Sequence, residues 1–187
     1  MLLLIFVAAP AFADHYPTLE GLVSPDQRLS VVLEDSGRLC IEDLQTRREV
    51  ALIADEFGAR NWRVIVRWSP NGSKVAVEVA HDKGNDVFVL VKEDHGFREV
   101  RFTPPDVFFA IYRARWPKKY PAGFKTFVNA DGVGKWLNNS KLTMVKSYTL
   151  ADAEDPNGKV FELKGTYILE ITDGQARVKD AKLKVAP

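Results

Sequence analysis

Apolar and polar residues alternate along most of the chain, and short polar turns interrupt the alternation. Every second residue is apolar from Trp62 to Trp68 and again from Val75 to Val79. A period of two places these side chains on one face of a half-buried β-strand. Val87–Val91 is apolar throughout, which is typical of a strand covered on both faces. The pattern predicts a mainly β chain built from antiparallel strands.

The turns between these strands repeat. Ser24–Arg28 and Ser69–Ser73 each begin with a Ser-Pro pair followed by Asp or Asn, and these residue types favour tight turns. The two turns start about 45 positions apart, which is the length of a four-stranded unit. Trp136–Lys141 is a shorter third copy, and Asp173-Gly174 is a strong hairpin signal. The repeat predicts three antiparallel units, over residues 22–57, 60–102 and 124–187.

Two departures from the repeat are predicted. Thr103–Asp106 combines a hydroxyl, two prolines and an acid, which is a helix-start signature, so one inserted helix is expected around residues 104–116. In the third unit, Asp131-Gly132 predicts a turn between strands at residues 125–128 and 133–137. Two further separate strands are expected at residues 159–163 and 165–171.

The first residues have the pattern of a secretory signal peptide. Leu2–Phe12 is an almost unbroken apolar run, and Ala11-Phe12-Ala13 forms an A-x-A cleavage site before Asp14. The run is too short to span a membrane, and no other segment approaches the ~20 apolar residues that a spanning helix needs. We therefore expect residues 1–13 to be a signal peptide, residues 14–187 to be a single β-repeat domain, and the protein to be periplasmic or secreted.

The Trp68–Lys74 turn, with the apolar strands that follow it, resembles the WD40-like repeat of TolB-type and prolyl oligopeptidase-type β-propellers. The resemblance extends over about residues 22–185 and is best in the second unit. It implies antiparallel blade-like meanders in a partial or divergent β-propeller-like structure, since closed propellers have four or more blades. It also implies a role as a binding platform. Three blades leave open sheet edges, through which the chain could form homo-oligomers.

Composition narrows the function classes. The 187 residues carry a formal net charge of +1, so no overall field attracts nucleic acid. Cys40 is the only cysteine, which excludes an intramolecular disulfide, and it is expected to be a small buried residue. No G-x-S-x-G nucleophile elbow is present. No cofactor and no metal are predicted.

The predicted binding patch follows the predicted helix. It interleaves five cations with aromatic rings and contains no acid, a mixture that can bind anionic groups and stack on rings or sugars. The alternative is a solvated helix end, where cations are favourable in any case. The patch comprises Arg113, Arg115, Trp116, Lys118, Lys119, Tyr120, Phe124 and Lys125.

Three weaker candidates remain open. His81-Asp82 with Asp86, or Asp94-His95, could form a small metal or acid–base site, although solvated hairpin tips have the same composition. Asp152–Gly158 is rich in oxygen ligands for Ca²⁺ but lacks the EF-hand register. The leading hypothesis is an exported non-catalytic binding protein that engages a protein or an envelope polymer. The alternatives are a hydrolytic or metal-dependent enzyme or accessory subunit, and a self-associating structural protein.

Overall fold

The computed structural model describes residues 18–55, 63–81, 84–105, 124–152 and 160–182, which form twelve strands and, within these ranges, no helix. The mainly β prediction is confirmed. Pro104 and Pro105 have no regular structure, and the rest of the predicted helix, residues 106–116, lies outside the described residues. The strands are β1 (Thr18–Glu20), β2 (Leu29–Leu33), β3 (Leu39–Asp43), β4 (Arg48–Ala54), β5 (Arg63–Trp68), β6 (Lys74–His81), β7 (Gly84–Glu93), β8 (Gly96–Glu99), β9 (Phe124–Trp136), β10 (Lys141–Asp152), β11 (Val160–Thr172) and β12 (Gln175–Lys182).

The strands form three sheets in the order of the sequence. The first sheet contains β2, β3 and β4, and the third sheet contains β9 to β12. The middle sheet has the order β1-β5-β6-β7-β8, and β1 joins it in parallel to β5. All other neighbouring strands are antiparallel and consecutive in the chain, so each sheet is a meander apart from the added strand β1.

The middle sheet packs between the other two and therefore has a core on each face. In β6, Val75, Val77 and Val79 pack with the first sheet, whereas Ala76 packs with the third. In β7, Leu90 packs with the first sheet and Val89 packs with the third. The apolar run from Val87 to Val91 predicts this double covering, because a strand buried on both faces no longer alternates.

The third unit differs from its prediction. The turn expected at Asp131-Gly132 is wrong, because β9 runs without a break from Phe124 to Trp136. Gly132 does not adopt a positive φ angle, and a Cβ atom there would lie 3.3 Å from Glu78 Oε2. A side chain at this position would be in tight contact with Glu78, so the glycine is explained by space and not by a turn. The two strands expected at residues 159–163 and 165–171 are likewise one strand, β11.

The repeated Ser-Pro turns have the same hydrogen bonds. The Ser69 N–H donates to Lys74 O over 2.8 Å, and the Lys74 N–H donates to Ser69 Oγ over 2.9 Å. In the first turn, the Ser24 N–H donates to Leu29 O and the Leu29 N–H donates to Ser24 Oγ, both over 2.9 Å. The sequence repeat is therefore a repeat of structure.

A tryptophan connects each repeat to the one before it. The indole N–H of Trp68 donates to the carbonyl oxygen of Leu22 over 3.1 Å, and that of Trp136 donates to Arg67 over 2.7 Å. Both acceptors lie two residues before the first residue of their own turn. In the third unit the equivalent residue is Lys135, whose carbonyl oxygen accepts a 2.9 Å hydrogen bond from the Thr143 hydroxyl. The cross-sheet bonds from Trp68 and Trp136 thus join the first sheet to the middle sheet and the middle sheet to the third.

Candidate functional site

The two ends of the sheet stack differ in chemistry. The repeated turns gather at one end, here called the turn end, where the Asn71 N–H donates to Asn139 Oδ1 over 3.1 Å. At the opposite end, the distal end, β6 finishes at His81 and β9 begins at Phe124. The polar groups of the turns are used in the turns themselves. The distal end carries the buried charged groups described next, whereas the cavities beside Asp94 and His95 lie at the turn end.

Glu78 is a buried carboxylate between the middle and third sheets. Its residue surface is 7% exposed, on the face of β6 that turns towards the third sheet. One oxygen, Oε2, accepts the Val133 N–H over 2.7 Å, and Oε1 accepts the Asn85 side-chain amide over 2.8 Å. The carboxylate therefore ties β6 to β7 within its own sheet and to β9 across the interface.

Asp131 and Lys146 form a second buried pair beside it. Lys146 is 6% exposed, and its Nζ donates to Asp131 Oδ2 over 2.7 Å. The Tyr167 hydroxyl donates to the other oxygen, Oδ1, over 3.0 Å. Lys146 Nζ also lies 5.8 Å from the centre of the Tyr148 ring, within the range of a cation–π contact. We call Glu78, Asp131, Lys146, Tyr148 and Tyr167 the interface cluster.

Burial changes the acidity of this cluster. Burial raises the pKa of Glu78, while the Val133 N–H and the charges of Arg63 and Arg67 partly oppose that rise. Burial likewise raises the pKa of Tyr167, and the neighbouring Asp131 charge and hydrogen bond add to it. Tyr167 therefore stays a hydroxyl donor to Asp131 and does not act as a base at neutral pH.

A pocket of about 490 Å³ opens beside the interface cluster. Its walls come from the first residues of β7, from the chain that follows β8, and from β9. Asn85 and Asp131 belong to the pocket wall and are also hydrogen-bonded to the interface cluster, so the cluster fixes their positions. The polar and aromatic residues that line the pocket are Asn85, Asp86, Glu99, Arg101, Phe102 and Asp131.

Two adjoining cavities, of about 510 and 240 Å³, lie between the first and middle sheets, and both include Asp94 and His95. Asp43, on the opposite wall of the smaller cavity, accepts the backbone N–H groups of Gln45 and Thr46, over 3.0 and 2.9 Å. The hydrogen bond from Thr46 is the main cause that lowers the pKa of Asp43. This carboxylate holds the turn after β3, which makes it a structural acceptor and not a partner for His95.

The residues proposed for a metal or acid–base site are only partly described. His81 is the last residue of β6 and pairs with Gly84, Asp86 lines the 490 Å³ pocket, and Asp82 lies outside the described residues. Asp152 ends β10, and the rest of the proposed Ca²⁺ loop, residues 153–158, lies outside them as well. Across the described ranges, no three His, Cys, Asp or Glu side chains are arranged to hold a metal ion.

The predicted binding patch also falls mostly outside the described residues. Phe124 and Lys125 begin β9, where their backbones pair with Asp152 and Ala151 of β10. The other six members lie within residues 106–123 and are not described: Arg113, Arg115, Trp116, Lys118, Lys119 and Tyr120.

Sequence reasoning did not identify the interface cluster, although a signal for it was present. Lys146 stands in the same alternation as Leu142, Met144 and Tyr148, which all face the core. Glu78 shares its face of β6 with Ala76, and the apolar β7 beside it indicates that this face is buried too. A charged residue at a core-facing position of an alternating strand therefore indicates a buried polar cluster.

Other expectations are settled by the described residues. Cys40 is 2% exposed, as expected for a small apolar residue, and burial together with Glu49 and Glu34 raises the pKa of its thiol. None of the described segments is a helix long and apolar enough to cross a membrane.

In comparisons with known proteins, no family model matches the chain, and no curated protein matches it significantly in sequence.

Proposed function

We propose that the protein is an exported, non-catalytic binding protein that uses its β-propeller-like scaffold to engage a protein or an envelope polymer at the distal end. The observation that carries the proposal is the 490 Å³ pocket, whose wall residues Asn85 and Asp131 are held by the interface cluster. A pocket with a few fixed polar groups is the usual form of a binding site.

The interface cluster supports binding more than catalysis. Both oxygens of Glu78 and both oxygens of Asp131 already accept hydrogen bonds from the protein. A carboxylate that acts as a general base must reach a proton of the substrate. The geometry instead uses these groups to keep two sheets and one pocket wall in a fixed arrangement.

Two features of the sequence add support for a binding role. Pro104, which lines the pocket, is followed after one residue by residues 106–123, and the described chain resumes at Phe124 at the distal end. The predicted binding patch belongs to this connection between β8 and β9. The predicted A-x-A cleavage site, Ala11-Phe12-Ala13, supports export, which would bring the protein to envelope components.

Capture of envelope components on the purified, immobilised protein tests the proposal. We expect the wild-type chain to retain a partner that is lost by a pocket variant, Arg101→Ala with Glu99→Gln, or by a patch variant, Trp116→Ala with Lys118→Ala and Lys119→Ala. Arg47→Ala is the matched control, because Arg47 is an exposed arginine of the first sheet that pairs only with Glu42 among the described residues. The proposal is wrong if both variants recover the same components as the wild type.

A further inference from the structure

We infer that the 490 Å³ pocket binds a neutral polyhydroxylated ligand, namely a saccharide segment of an envelope polymer. This inference rests on the proposed function and deepens it by choosing between the two partner classes. It follows from four properties of the pocket wall: its mixture of donors and acceptors, its charge balance, its fixed geometry and its apolar side.

The wall offers donors and acceptors side by side. The guanidinium group of Arg101 is a donor only, the carboxylate of Glu99 is an acceptor only, and the amide of Asn85 can do both. A sugar hydroxyl donates one hydrogen bond and accepts others, so neighbouring hydroxyls can satisfy such a mixed wall. A ligand with acceptors alone would offer no donor to the Glu99 carboxylate.

Charged groups of both signs lie near the pocket, and the carboxyl group of Glu78 lies behind Asn85. Asp86, Glu99 and Asp131 are acidic, and Arg101 in the wall and Lys146 behind Asp131 are basic. Three carboxylates at one wall disfavour a polyanion, while the two cations reduce the attraction for a cation. A ligand without net charge meets neither penalty.

Two wall residues are held in place before any ligand arrives. Asn85 donates to the buried Glu78, and Asp131 is held by Lys146 and Tyr167. Fixed polar groups lower the entropy cost of binding, which matters for a saccharide because its affinity comes mainly from oriented hydrogen bonds.

The remaining wall is apolar. Phe102 is half-buried against the core between the middle and third sheets, and Val87 and Pro104 lie on the same wall. A sugar ring has apolar C–H faces that pack on such a surface while its hydroxyls meet the polar side. The volume of about 490 Å³ lies within the range of small-ligand sites, and a short saccharide segment fills it.

Titration calorimetry with the purified full chain tests the inference. The probes are neutral glucose and N-acetylglucosamine oligomers of two to four sugars, with a lysine trimer and a glutamate trimer as charged comparisons. We expect at least one neutral oligomer to bind, and Arg101→Ala and Glu99→Gln each to weaken it about tenfold, the loss of one strong hydrogen bond. Arg47→Ala should bind as the wild type does. Both pocket residues are exposed, and unchanged thermal midpoints verify that the variants fold.

Each contrary result has a distinct meaning. If no neutral oligomer binds, or the pocket variants bind as tightly as the wild type, the saccharide inference is wrong. If a charged trimer binds in its place and depends on Arg101 or Glu99, the inference is also wrong. A captured protein that depends on Arg101, in the absence of saccharide binding, overturns the inference and leaves the proposed function standing. Neither saccharide nor captured partner overturns both.

Discussion

The indole N–H of Trp136 lies 2.7 Å from the carbonyl oxygen of Arg67 and joins the third sheet to the middle sheet. Trp68 makes the same bond one repeat earlier, to Leu22 of the chain that leads into the first sheet. These two tryptophans place successive turns side by side at the turn end. They explain why the tryptophan recurs in the sequence repeat.

Replacing Trp136 by phenylalanine should lower the free energy of unfolding by about 1 kcal/mol or somewhat more, since the ring is kept and the donor is lost. Trp68→Phe should cost a similar amount, because its ring contact with Phe97, at 6.0 Å between centroids, can persist. Urea denaturation of the two single variants measures both losses. No loss in either variant would show that the tryptophans act through their bulk alone.

Glu78→Gln should remove a pH dependence of stability. Because the folded state raises the pKa of Glu78 above its ordinary value of 4.5, the contribution of Glu78 to stability is greatest below that pH and is lost as the pH rises through the raised pKa. Glutamine is never ionised, and its amide can serve Val133 and a rotated Asn85. Denaturation between pH 4 and pH 8 should show a shallower decline for the variant.

The exposed Glu99→Gln is the control for that experiment, since it removes the same charge from the surface. If Glu78→Gln and the wild type lose stability in parallel over this pH range, Glu78 is not the group responsible.

Lys146→Met should be strongly destabilising, by about 3–5 kcal/mol, because it leaves the Asp131 carboxylate buried without its counter-ion. Adding Asp131→Asn should recover much of this loss, since the amide oxygen still accepts the Tyr167 hydroxyl. A double-mutant cycle by urea denaturation measures the coupling. Additive effects of the two substitutions would contradict the assigned pair.

Gly72→Ala should cost about 1–2 kcal/mol, because Gly72 has a φ angle of +68° in the second Ser-Pro turn. Space is not the cause, since a Cβ atom there would meet only Pro25, at 3.8 Å. Gln27 stands at the same position of the first turn with a φ angle of +57°. Gln27→Gly should therefore not destabilise the protein, and thermal denaturation of both variants tests this opposite pair.

The sequence predicts the turns correctly where the hydrogen bonds of the turn join residues close to one another in the chain. The hydrogen bonds of Ser69 with Lys74 follow from a turn motif that is legible in seven letters. The turn predicted at Asp131-Gly132 is wrong because a glycine after an aspartate is common in turns. In this structure the glycine instead leaves space for the Glu78 side chain of the neighbouring sheet. That reason depends on a residue more than fifty positions away.

The interface cluster was not predicted from the sequence, because it also depends on contacts between distant parts of the chain. Alternation in β6 assigns Glu78 to the face opposite Val77, but only the arrival of the third sheet buries that face. The predicted binding patch around Trp116 stays a prediction, since most of its members lie outside the described residues. The pocket beside Asp131 could not be predicted, because its walls come from strands far apart in the chain.

Thr143 holds the residue of the third repeat that corresponds to Leu22 and Arg67. Its hydroxyl accepts the Lys135 N–H over 2.7 Å and donates to the Lys135 carbonyl, so Lys135 is bonded within the third sheet. At the other extreme, Val23 occupies the tryptophan position and is 48% exposed. The indole link therefore operates between neighbouring sheets of one chain, where Trp68 and Trp136 each fix the offset of one sheet against the next.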